Sequence, residues 1–368
     1  MEAQVDAAPV TILGAGAMGT ALAAPLTANG RPPRLWGTEL DRELLAELRA
    51  GREHPRIGHG VDPNVLLFEP EELDEAMTGA GIVVLAISSD GVLDVLHRVI
   101  PYLRPHHTIV MVTKGFGRDA AGRVALFPPL LRAALPDHLR NEIPIVAVGG
   151  PCKANEVAGG FATATVYGSL DDTALALCRA TFQTPRYRIQ LTSDITGLEI
   201  AAAMKNVYAI ALGACDGLQE GDGLPRHDLK SAVFTQAVAE MRTVALALGG
   251  RAETVTGYAG VGDLQVTGLS GRNRVFGERL GKGERADDAL AAMRAAGQTV
   301  EGHPAAFLAV GLVDELADDG DLDPEEMPLL GAIENLLRGA TEVEEILSEA
   351  ALPELSGETT GRRASLPG

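Results

Sequence analysis

The stretch "VTILGAGAMGTALAAPLTANG", residues 10–30, joins three local signals in one run. Residues 10–13 are apolar and rich in β-branched side chains, "GAGAMG" places glycines at 14, 16 and 19, and a helical segment of small and apolar residues follows until Asn29-Gly30 closes it. A strand that turns through glycines into a helix is built to hold a dinucleotide. Gly14 permits the tight turn, Gly16 leaves room for a pyrophosphate, Gly19 lets helix and strand pack closely, and the helix N-terminus offers N–H donors to the anion. Glycine supplies 43 of the 368 residues, so the bare pattern is weak and its place between strand and helix gives it force. Glu39 stands twenty residues beyond Gly19, at the end of a second apolar stretch, "PRLWG". A carboxylate there accepts from ribose hydroxyls and repels a 2′-phosphate, which favours NAD over NADP. Thr38 beside it is neutral, and Arg42 is close enough to leave NADP open.

Outward from this unit, further strands are predicted at 81–88, 108–113, 144–150, 163–168 and 186–192, with helical segments between most of them. Near-continuous apolar strands separated by helices indicate a parallel sheet covered on both faces, with the later strands open to antiparallel pairing. Beyond about residue 193 the strand signals fade and a helical pattern runs to about 350, with Gly-rich loops expected at 257–271 and 281–283. The predicted organisation is an α/β, Rossmann-like N-terminal domain (1–193) and a mostly α-helical C-terminal domain (194–352) that carries substrate and catalysis. Residues 353–368 lack apolar periodicity and read as a disordered tail.

Composition narrows the partners. The chain has 31 Lys and Arg against 50 Asp and Glu, a formal charge of −19, spread along its length. Such a surface repels phosphate backbones and anionic lipid, so nucleic acid and membrane insertion are not expected, and an anionic small molecule needs a local basic pocket. The N-terminus "MEAQVDAAP" has no basic, apolar secretory pattern, which points to the cytoplasm. The three cysteines, 152, 178 and 215, are far apart; they suit reduced thiols and offer no metal-ligand spacing.

Three places carry candidate chemistry. "GLEIAAAMKNVYAIALGAC", residues 197–215, is apolar on all sides and therefore a buried helix, yet it holds Lys205 and Asn206 at its middle. A buried lysine is either salt-bridged or functional, and this window alone leaves both open. Lys114, in "VMVTKGF", follows an apolar strand, where ligands of open α/β sheets collect. "GYAGVGDLQVTGLSGRNRVFGERLGKG", residues 257–283, sets Asp263, Thr267, Arg272 and Asn273 among glycines; arginine binds phosphate in a bidentate way and an adjacent Asn adds a neutral donor.

"GAGAMGTALA", "TKGF", "GGPCKANEVAGG", "EIAAAMKNVYAIALGACDGL", "AGVGDLQVT", "SGRNRVFGERLGKG" and "GQTVEG" occur in an order that resembles the NAD(P)-dependent glycerol-3-phosphate dehydrogenases, from about residue 9 to about 345. The resemblance implies interconversion of dihydroxyacetone phosphate and sn-glycerol 3-phosphate, and a homodimer. It makes Lys205 the proton-transfer residue, with Asp263 holding it, and has Lys114 position the substrate oxygen near the nicotinamide. It places Gly150, Cys152 and Thr267 against substrate, gives the phosphate to Arg272 and Asn273, and sets Ala17, Met18, Ala154, Arg272, Gln298, Thr299 and Glu301 along the cofactor. Burial and Lys114 should lower the Lys205 pKa while Asp263 opposes the shift.

The chain departs from the pattern of bacterial relatives in three places. Cys152 and Lys153 stand where Ser and Phe are typical, Gly271 replaces a serine, and "EGDGLPRHDLKSAV" carries extra residues expected to reshape the mouth of the site. These leave two rivals: a dehydrogenase of the same plan acting on a different phosphorylated hydroxy compound, and a non-catalytic dinucleotide-binding regulator.

Overall fold

The computed structural model describes residues 8–353, so the tail predicted at 353–368 lies almost wholly outside the described residues. Ten strands are present among them: β1 Val10–Leu13, β2 Arg34–Trp36, β3 Leu66–Phe68, β4 Ile82–Leu85, β5 Thr108–Met111, β6 Phe116–Arg118, β7 Val124–Leu126, β8 Ile145–Gly149, β9 Thr163–Gly168 and β10 Tyr187–Thr192. Eight form one sheet in the order β10-β9-β8-β5-β4-β1-β2-β3, and β6 and β7 make a separate antiparallel hairpin. Every pairing in the large sheet is parallel except β8 with β9. All seven strands expected from the sequence are there. The edge strand β3 and the hairpin had no signal of their own, being three residues each.

The chain leaves β1 towards β2 and β3, then returns to β4 on the other side, so β1 and β4 flank a topological switch point. Ligands of open α/β sheets sit outside the carboxyl ends of strands at such a point. There Gly14 holds φ +106°, and a Cβ on it would lie 2.5 Å from the Ala86 carbonyl oxygen. A Cβ on Gly19 would lie 2.1 Å from the Gly14 carbonyl oxygen, whereas one on Gly16 would meet nothing within 4 Å. The first and last glycines are thus required by packing, and the middle one keeps space open. Helix α1, Ala17–Ala28, begins at Gly16 with no side-chain cap.

After β8 comes the short helix α2, Ala154–Ala158, which packs on α1. The chain beyond β10 is helical. Its axis is α3, Ile195–Asp222, which is long and apolar enough by length and composition to cross a membrane but lies buried within the protein. Around it pack α4 His227–Ala247, α5 Asp263–Leu269, α6 Arg272–Gly281, α7 Gly302–Asp319 and α8 Pro328–Leu337. Helix α6 runs backbone to backbone with α3: a Cβ on Gly213 would lie 2.0 Å from the Arg274 carbonyl oxygen.

One expectation is corrected here. Residues 258–262 form a π-helical turn that leads directly into α5, so the Gly-rich loop expected at 257–271 is mostly helix, whereas the one expected at 281–283 is a turn that follows Gly281, the last residue of α6. Glycine disfavours an isolated helix, but here it serves contact: a Cβ on Gly260 would strike the Val255 carbonyl oxygen and one on Gly268 the Leu212 side chain. The extra residues before Lys230 join α3 to α4, whose first residue, His227, lines a cavity with Gln265, Gly268 and Leu269 of α5, around Thr267. Helix α3 simply continues to Asp222, Gly223 closes it in the left-handed region, and Arg226 ties the turn to Asp222 and Glu344. Seventeen residues of helix, about 26 Å, separate that turn from Lys205.

Candidate active site

Lys205 lies in the buried middle of α3 and is 7% exposed. Its neighbours one turn away, Ala201, Ala202 and Ala209, are methyl groups, so the ammonium has room beside it. Lys205 Nζ donates to Asp263 Oδ1, and Lys114 Nζ donates to Asp263 Oδ2 at 3.0 Å. Asp263, 2% exposed, opens α5 immediately after the π-helical turn. Lys114 arrives from the other half of the chain, three residues past β5. Two cations and one carboxylate therefore meet where the helical region closes on the carboxyl ends of the strands.

Their charges shape one another. Burial presses Lys205 down and Lys114 adds to the effect; Asp263 opposes both, and the Lys205 pKa settles at about 8. Burial also works against Lys114, but the Asp263 carboxylate outweighs it and holds that lysine above its ordinary value. Asp263 is pushed up by burial and pulled down further by Lys114 and Lys205, so it stays ionised. One lysine of the pair is a fixed cation and the other titrates near neutrality.

Next to this cluster, the segment from Gly150 to Lys153 leaves the end of β8. The Thr165 hydroxyl donates to the Gly149 carbonyl at 2.9 Å and lies 3.7 Å from Cys152 Sγ. Lys153 Nζ donates to Ser270 Oγ at 2.6 Å, across to the helical region. The Thr267 hydroxyl donates to the Asp263 carbonyl one turn earlier, at 2.6 Å. Arg272 and Asn273 form the first turn of α6, which has no side-chain cap. Arg272 donates to Thr299 Oγ1 at 2.6 Å and to Glu301 Oε1 at 3.1 Å, and Asn273 Oδ1 accepts from the Gly302 N–H at 2.9 Å. The amide nitrogen of Asn273 has no protein partner among the described residues. These groups can bind an anion beside an acid–base pair.

Residues 9–175 match the family described as NAD-dependent glycerol-3-phosphate dehydrogenase N-terminus, and residues 194–348 the family described as its C-terminus. An NADP(+)-dependent glycerol-3-phosphate dehydrogenase of Archaeoglobus fulgidus is 38% identical over 343 residues, 93% of this chain and 98% of that one. The chain belongs to the NAD(P)-dependent glycerol-3-phosphate dehydrogenase family. A family member of Geobacter sulfurreducens is 34% identical, over 81% of this chain and 86% of its own. The crystal structure of glycerol-3-phosphate dehydrogenase from Coxiella burnetii superposes with a TM-score of 0.77 at 28% identity, covering 93% of this chain and 98% of that one.

The dinucleotide expected of the family fits the residues present: the uncapped start of α1, with Ala17 and Met18 in its first turn, faces the open space beside Gly16. Ala154 begins α2, which packs on α1. Glu39 is exposed and donates nothing; it accepts from Arg98 Nη1 at 3.0 Å, and Arg98 lies 5.0 Å over the Trp36 ring. Thr38 is occupied locally, its N–H and hydroxyl both donating to Asp41 Oδ2 at 2.8 and 3.0 Å. Arg42 turns away to Glu71 and Glu69. Gln298 is exposed and lies beside Thr299, on the segment that meets Arg272.

Three features had escaped the sequence. Asp263 is shared by both lysines, whereas only Lys205 was assigned to it. Glu199, 1% exposed on α3, has no hydrogen-bond partner on either carboxylate oxygen; burial pushes its pKa up to about 8, with Lys114 opposing. Its only visible signal was a glutamate inside the apolar run. The reach of Lys153 to Ser270, 117 residues away, had none.

Proposed function

We propose that this chain interconverts dihydroxyacetone phosphate and sn-glycerol 3-phosphate with NAD(P), Lys205 moving the proton. The observation that carries it is the convergence of Lys205 and Lys114 on Asp263, beside an uncapped helix start bearing Arg272 and Asn273. The bound nicotinamide supplies hydride to the ketone carbon or accepts it from the alcohol carbon. As the carbonyl carbon is reduced, its oxygen gathers negative charge, and protonated Lys205 gives that oxygen its proton. In the reverse direction neutral Lys205 takes the hydroxyl proton. Lys114, held charged by Asp263, polarises the same oxygen in both directions. Arg272 and Asn273 hold the phosphate, with Thr267, Gly150 and Cys152 against the body of the substrate.

Gly14, Gly16, Ala17, Met18 and Gly19 would hold the cofactor's pyrophosphate and Thr38 and Glu39 its ribose, and Lys114, Ala154, Arg272, Gln298, Thr299 and Glu301 would complete its site. Glu39 favours NAD. The enzyme works in the cytoplasm as a homodimer, with residues 1–193 and 194–352 as its two domains.

The initial rate of NADH oxidation with dihydroxyacetone phosphate, with NADPH and a panel of other phosphorylated ketones run alongside, tests the reading. Saturable turnover abolished by Lys205→Met supports it. Faster turnover of another phosphorylated ketone transfers the site to that substrate, and cofactor binding without any turnover leaves a regulator.

A further inference from the structure

The chain has five lysines, 114, 153, 205, 230 and 282. Four of them have a carboxylate within ion-pair distance: Asp263 for both Lys114 and Lys205, Asp216 for Lys230, and Glu220 and Glu278 for Lys282. Lys153 has none among the described residues, in a protein of formal charge −19. Its half-buried ammonium is instead directed to the Ser270 hydroxyl at 2.6 Å. Ser270 is two residues before Arg272, at the loop that opens α6. Arg272 in the same place is shared with Glu301, so much of its charge is already answered. A phosphate dianion seated there needs more positive charge than Arg272 alone provides.

We propose that Lys153 is a further cation of the substrate-phosphate subsite, reaching from the α/β region across to the start of α6 and raising the affinity for a dianionic group. This rests on the function proposed above. The hydroxyl of Ser270 parks the ammonium, and the phosphate draws it over, since a charged acceptor makes the stronger hydrogen bond. Because Lys153 touches the phosphate rather than the reacting oxygen, it acts on binding of ground state and transition state alike.

Three variants separate charge from tether: Lys153→Met removes both, Lys153→Gln keeps a donor without charge, and Lys153→Arg keeps the charge. Two constants are read for each, KM for dihydroxyacetone phosphate and the competitive inhibition constant of inorganic phosphate. Both should rise together by about ten-fold in the Met and Gln variants, with kcat within about two-fold, and return in the Arg variant. Wild-type constants in the Gln variant would make Lys153 a tether between domains and overturn the proposal. So would a rise confined to the KM for NADH, which would move the cation to the cofactor. Stabilisation of the wild-type protein by inorganic phosphate, read as a shift in Tm that is smaller in Lys153→Met at the same phosphate concentration, tests the subsite even where dihydroxyacetone phosphate is not turned over. In that case the proposed substrate fails while the anion site stands; no phosphate-dependent shift in either protein overturns the anion site itself.

Discussion

Two polar clusters lie one turn apart on α3, and their hydrogen bonds are filled to opposite degrees. Tyr208 donates to Glu240, a carboxylate on α4 with no solvent exposure. Each oxygen of Glu240 accepts twice: Oε1 from the Leu329 N–H and the Gln236 amide, Oε2 from Tyr208 and the Leu330 N–H. It therefore caps the start of α8 from a neighbouring helix, and no acceptor capacity is left over. The Lys205 cluster is the reverse. Two ammonium groups carry three N–H donors each, and Asp263 takes one from each. A buried cluster with surplus donors and a net positive charge is incomplete without an anionic or oxygen-rich ligand. Burial alone does not mark a site; unfilled hydrogen-bonding capacity does.

Substitutions at the two clusters should separate accordingly, and the largest effect is expected at Lys205. Lys205→Met should lower kcat for ketone reduction by about 10³-fold or more, with cofactor binding and Tm close to wild type. Asp263 keeps Lys114 as its partner, so no buried charge is stranded. With a Lys205 pKa of about 8, reduction, which needs the protonated amine, should fall as pH rises through 8. Alcohol oxidation, which needs the neutral amine, should rise over the same range. Rate profiles in both directions check this, and two profiles of the same sign would remove Lys205 from proton transfer.

At Glu240 the loss should be of stability instead. Glu240→Ala strands two backbone N–H groups and a tyrosine hydroxyl in the core, at a cost of roughly 3 kcal/mol. Thermal unfolding should show a Tm several degrees lower, while kcat/KM of the folded fraction stays within about two-fold. A large loss of kcat with an unchanged Tm would erase the distinction between the clusters.

Glu199 stands between the two cases: buried like Glu240, but without a partner. Its folded pKa of about 8 is raised from an ordinary 4.5, so the folded state holds its proton more tightly than the unfolded one. The stability this gives is complete below about pH 4.5 and is lost as pH rises through about 8. Glu199→Gln cannot ionise and escapes that loss. The Tm of the variant minus that of wild type should grow from pH 5 to pH 8 and level off above, reaching several degrees. A difference that does not change with pH would mean that Glu199 has found donors, as Glu240 has.

These contrasts also explain what could be read from the sequence. The dinucleotide half was legible because its signals are local: a strand, three glycines and a helix within residues 10–28, and Glu39 at a fixed distance. Lys205 was conspicuous as a charge inside an apolar run, and resemblance named Asp263 as its partner. Glu199 occupies the same run, yet its meaning depends on which donors reach it in three dimensions. Sequence cannot tell it from Glu240. The glycines of 257–271 suggested a loop because their conformational freedom is a property of the residue, whereas the close packing of Gly260 on Val255 and of Gly268 on Leu212 of α3 is a property of the fold. Strand β3, three residues long, pairs in the sheet with β2 alone.

The smallest expected effect lies at the far end of the cofactor cleft, where charge is exposed and balanced. Glu39 accepts from Arg98, and Arg42 is taken up by Glu71. Exposed ion pairs of this kind contribute about 0–1 kcal/mol, so Arg98 can be recruited without much loss. On the proposed function, Glu39 should turn to the ribose hydroxyls of NADH, and with NADPH its charge should oppose the 2′-phosphate while Arg98 attracts it. The two tendencies partly cancel, and kcat/KM should favour NADH by about ten-fold or less. Glu39→Gln removes the repulsion and frees Arg98, and should shift the ratio several-fold towards NADPH; Arg98→Met should shift it the other way. Stacking on Trp36 keeps Arg98 in place in both states, so the Gln variant should leave Tm unchanged. If Glu39→Gln leaves the cofactor ratio where it was, the carboxylate does not face the ribose, and selection must rest on groups outside the Glu39–Arg98 pair.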